Sequence, residues 1–170
     1  MMNFQLSADH IEMVWRLLAA LFAGALIGYE RSYNGRPAGF RTHALVCMSS
    51  SLLMLVTVYE ASWVRTAPGE IRLDPTRMAQ GIMTGIGFLG AGAIIKMSEK
   101  EQVKGLTTAA SIWTTAAIAM VAGLGRETTA ILATAIALII LAAIPRIEAR
   151  MQRSVSRVAL PANGAVEAGT

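Results

Sequence analysis

Residues 80–96 read QGIMTGIGFLGAGAIIK, an apolar stretch with a glycine every two to four residues. Interior glycine destabilises a helix in water by about 1 kcal/mol relative to alanine. In lipid, small residues instead let helix backbones approach closely and gain dispersion contacts. The stretch therefore predicts a membrane helix whose small, partly polar face forms the inner wall of a helical bundle. That face comprises Gln80, Thr84, Gly87 and Ala91, with Gly81, Gly85 and Gly92 alongside, and Gly90 is also assigned to helix packing.

The composition of the whole chain agrees with a membrane protein. Of 170 residues, 54% are hydrophobic and only 15% are charged, against about 25% charged residues in ordinary soluble domains. The net charge of +4 comes from basic residues scattered singly between apolar segments. The chain has no basic, aromatic-interleaved patch that would indicate nucleic acid binding. We expect its partners to be the lipid bilayer and other membrane proteins or further copies of itself.

Five segments are apolar over roughly the 17–25 residues that a helix needs to cross a bilayer. They are Met13–Tyr29, Thr42–Ala61, Met78–Met97, Leu106–Leu124 and Thr128–Ile144. Asp74-Pro75 is typical of a helix start, and Pro145 is expected to end the fifth helix. Gly123-Leu124-Gly125 permits a tight turn between the fourth and fifth spans. The predicted fold is all-α, with residues 1–150 as a multi-pass membrane domain and residues 151–170 as a disordered cytoplasmic tail.

The positions of the basic residues predict the orientation of the bundle. Ten of the 15 lie on the side of the first connection, the third connection and the C-terminus: Arg31, Arg36, Arg41, Lys96, Lys100, Lys104, Arg146, Arg150, Arg153 and Arg157. Basic residues are enriched on the cytoplasmic side of membrane proteins. The N-terminus is therefore predicted outside and the C-terminus inside.

Polar residues share faces on the predicted helices. Arg16, Ala20, Gly24 and Gly28 follow at intervals of four residues, and His43 aligns with Cys47 and Ser50. In the fourth span, Thr108, Ser111 and Thr115 align, with Thr107 and Thr114 beside them. Such hydroxyl faces either pack helices together or line a narrow polar pathway. The fifth span is apolar all round and is expected at the lipid edge.

Charged residues cluster at two ends of the bundle. The cytoplasmic cluster is Glu30, Arg31, Arg36, Arg41, Thr42 and His43, and the outer one is Asp74 and Arg77. The turn residues between the first two spans can bring Glu30 near Arg41. Charge at a membrane costs several kcal/mol unless paired, so the inner cluster is either a positive-inside anchor or a functional site. For Asp74, helix capping is the simpler role.

No catalytic motif fits this setting. Residues 85–90 match G-x-G-x-x-G, but a dinucleotide site requires a preceding strand and a βαβ unit, not a membrane-length apolar run. The sequence has one cysteine and two histidines, so we expect no metal site. We likewise expect no enzyme activity and no cofactor.

Three motifs resemble the MgtC/SapB family of bacterial inner-membrane proteins. They are ALIGYERSYNGRPAGFRTHALV (25–46), DPTRMAQGIMTGIGFLGAGAII (74–95) and VKGLTTAASIWTTAAIAMVAGLG (103–125). The likeness covers roughly residues 12–145. It implies about five spans with the C-terminus inside. The motif positions it carries over are Glu30, Arg31, Arg36, Gly39, Arg41, Thr42, Asp74, Gly85, Gly87, Phe88, Leu89, Gly90, Gly92, Gly105, Leu106, Thr107, Thr108 and Trp113.

The resemblance also implies a function. Members of the family are linked to survival in low magnesium, to acid or solvent tolerance and to virulence, and some are regarded as inhibitors of the F-type ATP synthase. Many add a soluble cytoplasmic domain, and this sequence is expected to be a short form without it.

Two functions remain open from the sequence. The first is a regulatory membrane protein that acts by helix–helix contact, as the abundant small-residue faces suggest. The second is a small transporter or channel for an ion or polar solute, as the hydroxyl faces and the inner charged cluster suggest. Because arginines surround Glu30, that cluster disfavours direct binding of a cation. A purely structural membrane subunit is a third reading.

Overall fold

The structure, a computed structural model, describes residues 8–59, 74–95 and 104–158. In these residues five α-helices follow one another without a strand: α1 (Ala8–Tyr33), α2 (Phe40–Tyr59), α3 (Pro75–Ile95), α4 (Leu106–Gly123) and α5 (Glu127–Val158). The predicted all-α fold is confirmed.

Four of the helices have the length and apolar composition needed to cross a membrane. They are α1, α2, α4 and the part of α5 from Glu127 to Glu148. Within the described residues, α3 is not among them. Its predicted span, Met78–Met97, extends past the described part of the chain at its C-terminal end. The predicted orientation stays a prediction.

The chain divides into two compact units, Met1–Leu138 and Ile139–Thr170. In the first unit, α2 and α4 lie at the centre: α1 packs on both of them, and so does α3. The prediction that the first four spans face one another is confirmed. The buried core that joins α2, α3 and α4 includes Val46, Met54, Ile82, Ile86, Ile112, Ala116 and Met120.

Two glycines allow α1 and α2 to approach closely. A Cβ atom on Gly24 would lie 2.6 Å from the carbonyl oxygen of His43 and 2.7 Å from Cβ of Cys47. A Cβ on Gly28 would lie 2.7 Å from Cα of Phe40. Real Cβ atoms do not approach other atoms this closely, so only glycine fits at either position. The small-residue stripe predicted on the first span is therefore a packing surface.

The glycine face of α3 does not form the predicted inner wall. Gln80, Gly81, Thr84, Gly85, Gly87 and Gly92 are all exposed. A Cβ atom on any of these four glycines would meet no described atom within 4 Å. The packed face of α3 carries the larger side chains of Ile82 and Ile86, together with Gly90. A Cβ atom on Gly90 would lie 3.5 Å from Cβ of Ala109. The bulkier apolar side chains make more dispersion contacts with α4, and these contacts decide which face turns inward.

Two helix ends follow local rules that the sequence predicted. Asp74 caps α3, because its Oδ1 accepts hydrogen bonds from the backbone N–H of Thr76 at 2.8 Å and from the Thr76 hydroxyl at 2.7 Å. These bonds lower the pKa of the Asp74 carboxyl. Between α4 and α5, Gly125 adopts φ +78°, which favours glycine.

Pro145 does not end α5, contrary to the prediction. It lies inside the helix, which continues to Val158. Pro145 lacks the N–H that would bond the carbonyl oxygen of Leu141, and membrane helices tolerate the loss of one such bond. The carbonyl oxygen of Ala142 accepts a hydrogen bond from Nη1 of Arg146 at 2.5 Å. Residues 151–158, placed in the tail by the sequence, are thus helical, and residues 159–170 lie outside the described residues. Of the four candidate spans, the one in α5 has the smallest share of buried residues, 22%, which agrees with its predicted position at the lipid edge.

Candidate functional site

The polar cluster between α1, α2 and α4 is the candidate site. It consists of Glu30, Arg31, His43, Thr108 and Ser111. Arg31 and His43 are 2% and 0% exposed, although each is ionisable and lies in a helix of membrane-spanning composition. A buried charge of this kind is expensive and marks a functional position more often than an anchor.

Arg31 reaches from α1 into the space beside α4. Its Nη2 donates to the hydroxyl of Thr108 at 3.4 Å, and its Nη1 lies 3.9 Å from Oε2 of Glu30. The side chains of Arg31 and Glu30 are 3% and 12% exposed. Nε of Arg31 and Oε2 of Glu30 are both buried and have no hydrogen-bond partner among the residues that the structure describes. The pair is thus held at long range and retains unused donor and acceptor capacity.

Glu30 points toward the α1–α2 turn. Its Oε1 accepts a hydrogen bond from Nδ2 of Asn34 at 2.6 Å. The turn itself uses Gly35 at φ +63°, and the Ser32 hydroxyl accepts the backbone N–H of Phe40 at 2.8 Å, at the start of α2. Among the described residues, no ion pair joins Glu30 to Arg41. The turn therefore directs Glu30 to Asn34 and Arg31 instead.

His43 joins α2 to α4. Its Nδ1 donates to the carbonyl oxygen of Gly39 at 3.0 Å, because a carbonyl can only accept, and its Nε2 lies 3.1 Å from the Ser111 hydroxyl. That hydroxyl is also 2.8 Å from the carbonyl oxygen of Thr108. Neutral His43 accepts the Ser111 proton at Nε2. Protonated His43 donates to Ser111 instead, and the hydroxyl then turns to Thr108.

A row of polar side chains continues from His43 along the α2–α4 interface. Thr115 donates to the carbonyl oxygen of Ser111 at 2.7 Å, and the Cys47 thiol lies 3.4 Å from the carbonyl oxygen of Thr115. Ser50 and Ser51 are 2% and 0% exposed on the next turn of α2. The sequence had aligned these side chains correctly on their separate helices, and the structure brings the two faces together.

Apart from the glycines, the remaining predicted site residues are exposed and add no side chain to this buried cluster, although the backbone N–H of Arg36 donates to the carbonyl oxygen of Arg31 at 2.9 Å. Arg36, Arg41 and Thr42 are exposed, as are Thr107, Asp74 and Arg77, and Trp113 is 51% exposed. Among the described residues, no group of three or more His, Cys, Asp or Glu side chains is placed to hold a metal ion.

A second charged cluster was missed. Arg16 pairs with Glu12 on α1 and lies 3.7 Å, from Nε to Oε1, from Glu127 at the start of α5. Its guanidinium also lies over the Tyr59 ring, 5.2 Å from the centroid. The sequence places Arg16 and Glu127 at span ends on the same predicted side of the membrane, but it does not show that α1 and α5 are neighbours.

Comparison with known proteins identifies the family of the chain. A model of the MgtC family matches residues 17–150. The chain belongs to the MgtC family. Together with its helices of membrane-spanning length, this makes it a membrane protein. No solved structure matches the chain.

Three relatives illustrate the range of the family. The chain is 44% identical over 125 residues to "Protein MgtC" of Salmonella typhimurium, covering 74% of this chain and 49% of that protein. It is 42% identical over 130 residues to "Putative magnesium transporter YhiD" of Escherichia coli, covering 76% and 59%. It is 38% identical over 150 residues to "Protein SrpB" of Synechococcus elongatus, covering 82% and 79%. The chain thus spans only about half to three-fifths of the length of MgtC and YhiD.

Replacing Arg31 tests whether the buried cluster holds the bundle together. Arg31→Gln leaves the Glu30 carboxylate buried beside an uncharged amide, and breaking a buried pair in this way costs about 3 kcal/mol. We expect the unfolding midpoint in detergent to fall. Arg41→Gln is the matched control, because Arg41 is exposed on the first turn of α2. Equal stability of the two variants would show that Arg31 is only an anchor.

Proposed function

We propose that this protein is a regulatory factor of the bacterial inner membrane that acts by contact between α3 and a helix of another membrane protein. The observation that carries the proposal is the exposed glycine face of α3, defined by Gly81, Gly85, Gly87 and Gly92. Helices in lipid associate through such small-residue surfaces, because backbones can approach closely there. Within the described residues, no helix of the chain itself occupies this face.

The hydroxyl of the exposed face needs no partner from another helix of the chain. The Thr84 hydroxyl donates to the carbonyl oxygen of Gln80 at 2.8 Å, on its own helix. Phe88 and Leu89, at 81% and 51% exposure, are large apolar side chains that project beside the glycines. The flat glycine surface lets the backbone of a partner helix approach closely, and the projecting Phe88 ring restricts which helix can pack there.

Family membership suggests the setting for this contact. One relative is named as a putative magnesium transporter, and the family resemblance implies adaptation to magnesium limitation, to acid stress or to conditions of virulence. We propose a role of this kind, with the F-type ATP synthase as the partner to test first.

Substitution at Gly85 tests the proposed contact. Gly85→Leu adds a branched side chain where a partner backbone would lie, at a cost of about 1–3 kcal/mol and hence roughly tenfold weaker association. ATP-driven proton pumping is measured in inverted membrane vesicles that contain increasing amounts of the protein. We expect inhibition by the parent chain and a tenfold higher amount of Gly85→Leu for the same effect.

The control is Ala110→Leu, which adds a similar side chain at an exposed position of α4. It should inhibit like the parent chain. Inhibition by Gly85→Leu at parental amounts would contradict contact through α3. A parent chain without any effect on pumping would remove the ATP synthase as the partner.

A second candidate function is transport of an ion or polar solute, and the buried polar row from Arg31 through His43 to Ser51 favours it. The Ser111 hydroxyl, which reverses its bond with the protonation of His43, would suit a proton-linked step. Flux of Mg²⁺, chloride and phosphate into proteoliposomes tests this candidate, with His43→Ala expected to abolish any flux and exposed Thr42→Ala to preserve it. Absence of flux with the parent chain would exclude it for these solutes.

A further inference from the structure

An open groove runs between α1 and the first part of α5. Its volume is about 410 Å³, within the range of about 300–1,000 Å³ typical of small-molecule sites. The α1 wall is formed by Trp15, Ala19, Phe22 and Leu26, and the α5 wall includes Ile131, Ala135 and Leu138. This groove is separate from the buried polar cluster and from the exposed face of α3.

The groove is apolar along its whole length except at one end. Its floor contains Ala23 and Ala130, which are 7% and 5% exposed. The Thr134 hydroxyl, also in the lining, donates to the carbonyl oxygen of Ala130 at 2.7 Å and so offers no free polar group. The other polar residue of the lining is Glu127, at the first turn of α5. An occupant must therefore be apolar, with any polar group at the Glu127 end.

The length of the groove matches one leaflet of a bilayer. From Trp15 to Leu26, and equally from Glu127 to Leu138, the helices advance eleven residues, or roughly 16 Å at 1.5 Å per residue. Half of a hydrocarbon core of about 30 Å is roughly 15 Å. Trp15, whose ring is amphipathic, lies at the same end as Glu127, where the polar headgroups would be. One extended acyl chain fits this dimension.

The charged side chains at the Glu127 end of the groove determine which lipid headgroup it prefers. The Glu12 and Glu127 carboxylates flank Arg16 and are 50% and 34% exposed, whereas the Arg16 side chain is only 12% exposed. Arg16 is already surrounded by its two carboxylates, by the Tyr59 ring and by the carbonyl oxygen of Gly123 at 3.4 Å. The accessible charge at the mouth of the groove is therefore negative.

The neighbouring charges agree with an amine-bearing lipid. Asp9 lies on the same turn of α1 as Glu12, and Arg126, which is exposed, precedes Glu127. This end of the two helices thus carries three carboxylates and two guanidinium groups. A zwitterionic headgroup matches this set, with its ammonium toward Glu12 and Glu127 and its phosphate toward Arg126. A headgroup with only negative charge does not.

We propose that the groove between α1 and α5 binds one acyl chain of an aminophospholipid, with the ammonium group of the lipid at Glu127. The apolar walls supply affinity for the chain, and the two carboxylates supply preference for the headgroup. The lipid then fills the space between two helices that the Arg16–Glu127 pair joins at one end.

Fluorescence of Trp15 provides the test. The full chain carrying Trp63→Phe and Trp113→Phe retains Trp15 as its single tryptophan, on the wall of the groove. The purified protein in detergent is titrated with phosphatidylethanolamine or phosphatidylglycerol brominated in the upper part of the acyl chains. We expect saturable quenching, with an apparent affinity for phosphatidylethanolamine about threefold higher, the size expected of one partly exposed ion pair.

Matched variants separate groove binding from general contact with lipid. Ala135→Leu fills the groove and is expected to abolish saturable quenching. Ala133→Leu makes the same change on α5 outside the lining and should leave quenching unchanged. Ala19→Leu fills the groove from its α1 wall. This variant replaces Ala135→Leu in the test if circular dichroism shows that Ala135→Leu does not fold. Glu127→Gln should retain quenching but lose the preference between the two lipids.

Three results would overturn the proposal. Quenching that rises without saturation would show only bulk contact with lipid. Equal quenching in Ala135→Leu and Ala133→Leu would place the lipid elsewhere. Equal or stronger quenching by phosphatidylglycerol in the parent protein would show that the carboxylates do not select an amine.

Discussion

The close approach of α1 and α2 at Gly24 and Gly28 determines most of this structure. At this distance the backbone of α2 lies directly against α1, so His43 is directed away from α1 and toward Ser111 on α4. The same approach places Arg31, which lies one helical turn after Gly28 on α1, beside Thr108 of α4. Dispersion contact between backbones supplies the stability that hydrophobic burial cannot supply in lipid. The buried polar cluster exists because three helices meet there at short range.

Polar groups in the bundle are of two kinds. Thr57, Thr84 and Thr134 donate to carbonyl oxygens four residues earlier on their own helices, a local arrangement that needs no neighbour. Arg31 and His43 instead depend on other helices and on the α1–α2 turn. Groups of the second kind lie at two places, the cluster around Arg31 and the pairing of Arg16 with Glu127, because isolated charges are costly in a membrane. Their dependence on neighbouring helices distinguishes them from the locally bonded hydroxyls.

The sequence predicted well what local chemistry determines. Residue type and spacing predict the cap at Asp74, the turn at Gly125 and the packing of the first four helices against one another. The prediction failed where two faces of one helix compete for the packed position. The glycines of α3 suggested that their face points inward, but the face with Ile82 and Ile86 occupies that position. The helix end expected at Pro145 was wrong, because α5 continues past a proline that removes only one backbone hydrogen bond. The pairing of Arg16 with Glu127 required knowing which distant helices are neighbours, which spacing alone does not contain.

The central claim is that the glycines have two different roles, with Gly24 closing the α1–α2 interface and Gly81 facing away from the bundle. Reversible unfolding of Gly24→Ala and Gly81→Ala in detergent micelles tests it directly. Overpacking should destabilise Gly24→Ala by about 1–3 kcal/mol. Gly81→Ala should be as stable as the parent chain or more stable by up to about 1 kcal/mol, through helix propensity. Destabilisation of Gly81→Ala with no change in Gly24→Ala would contradict the account.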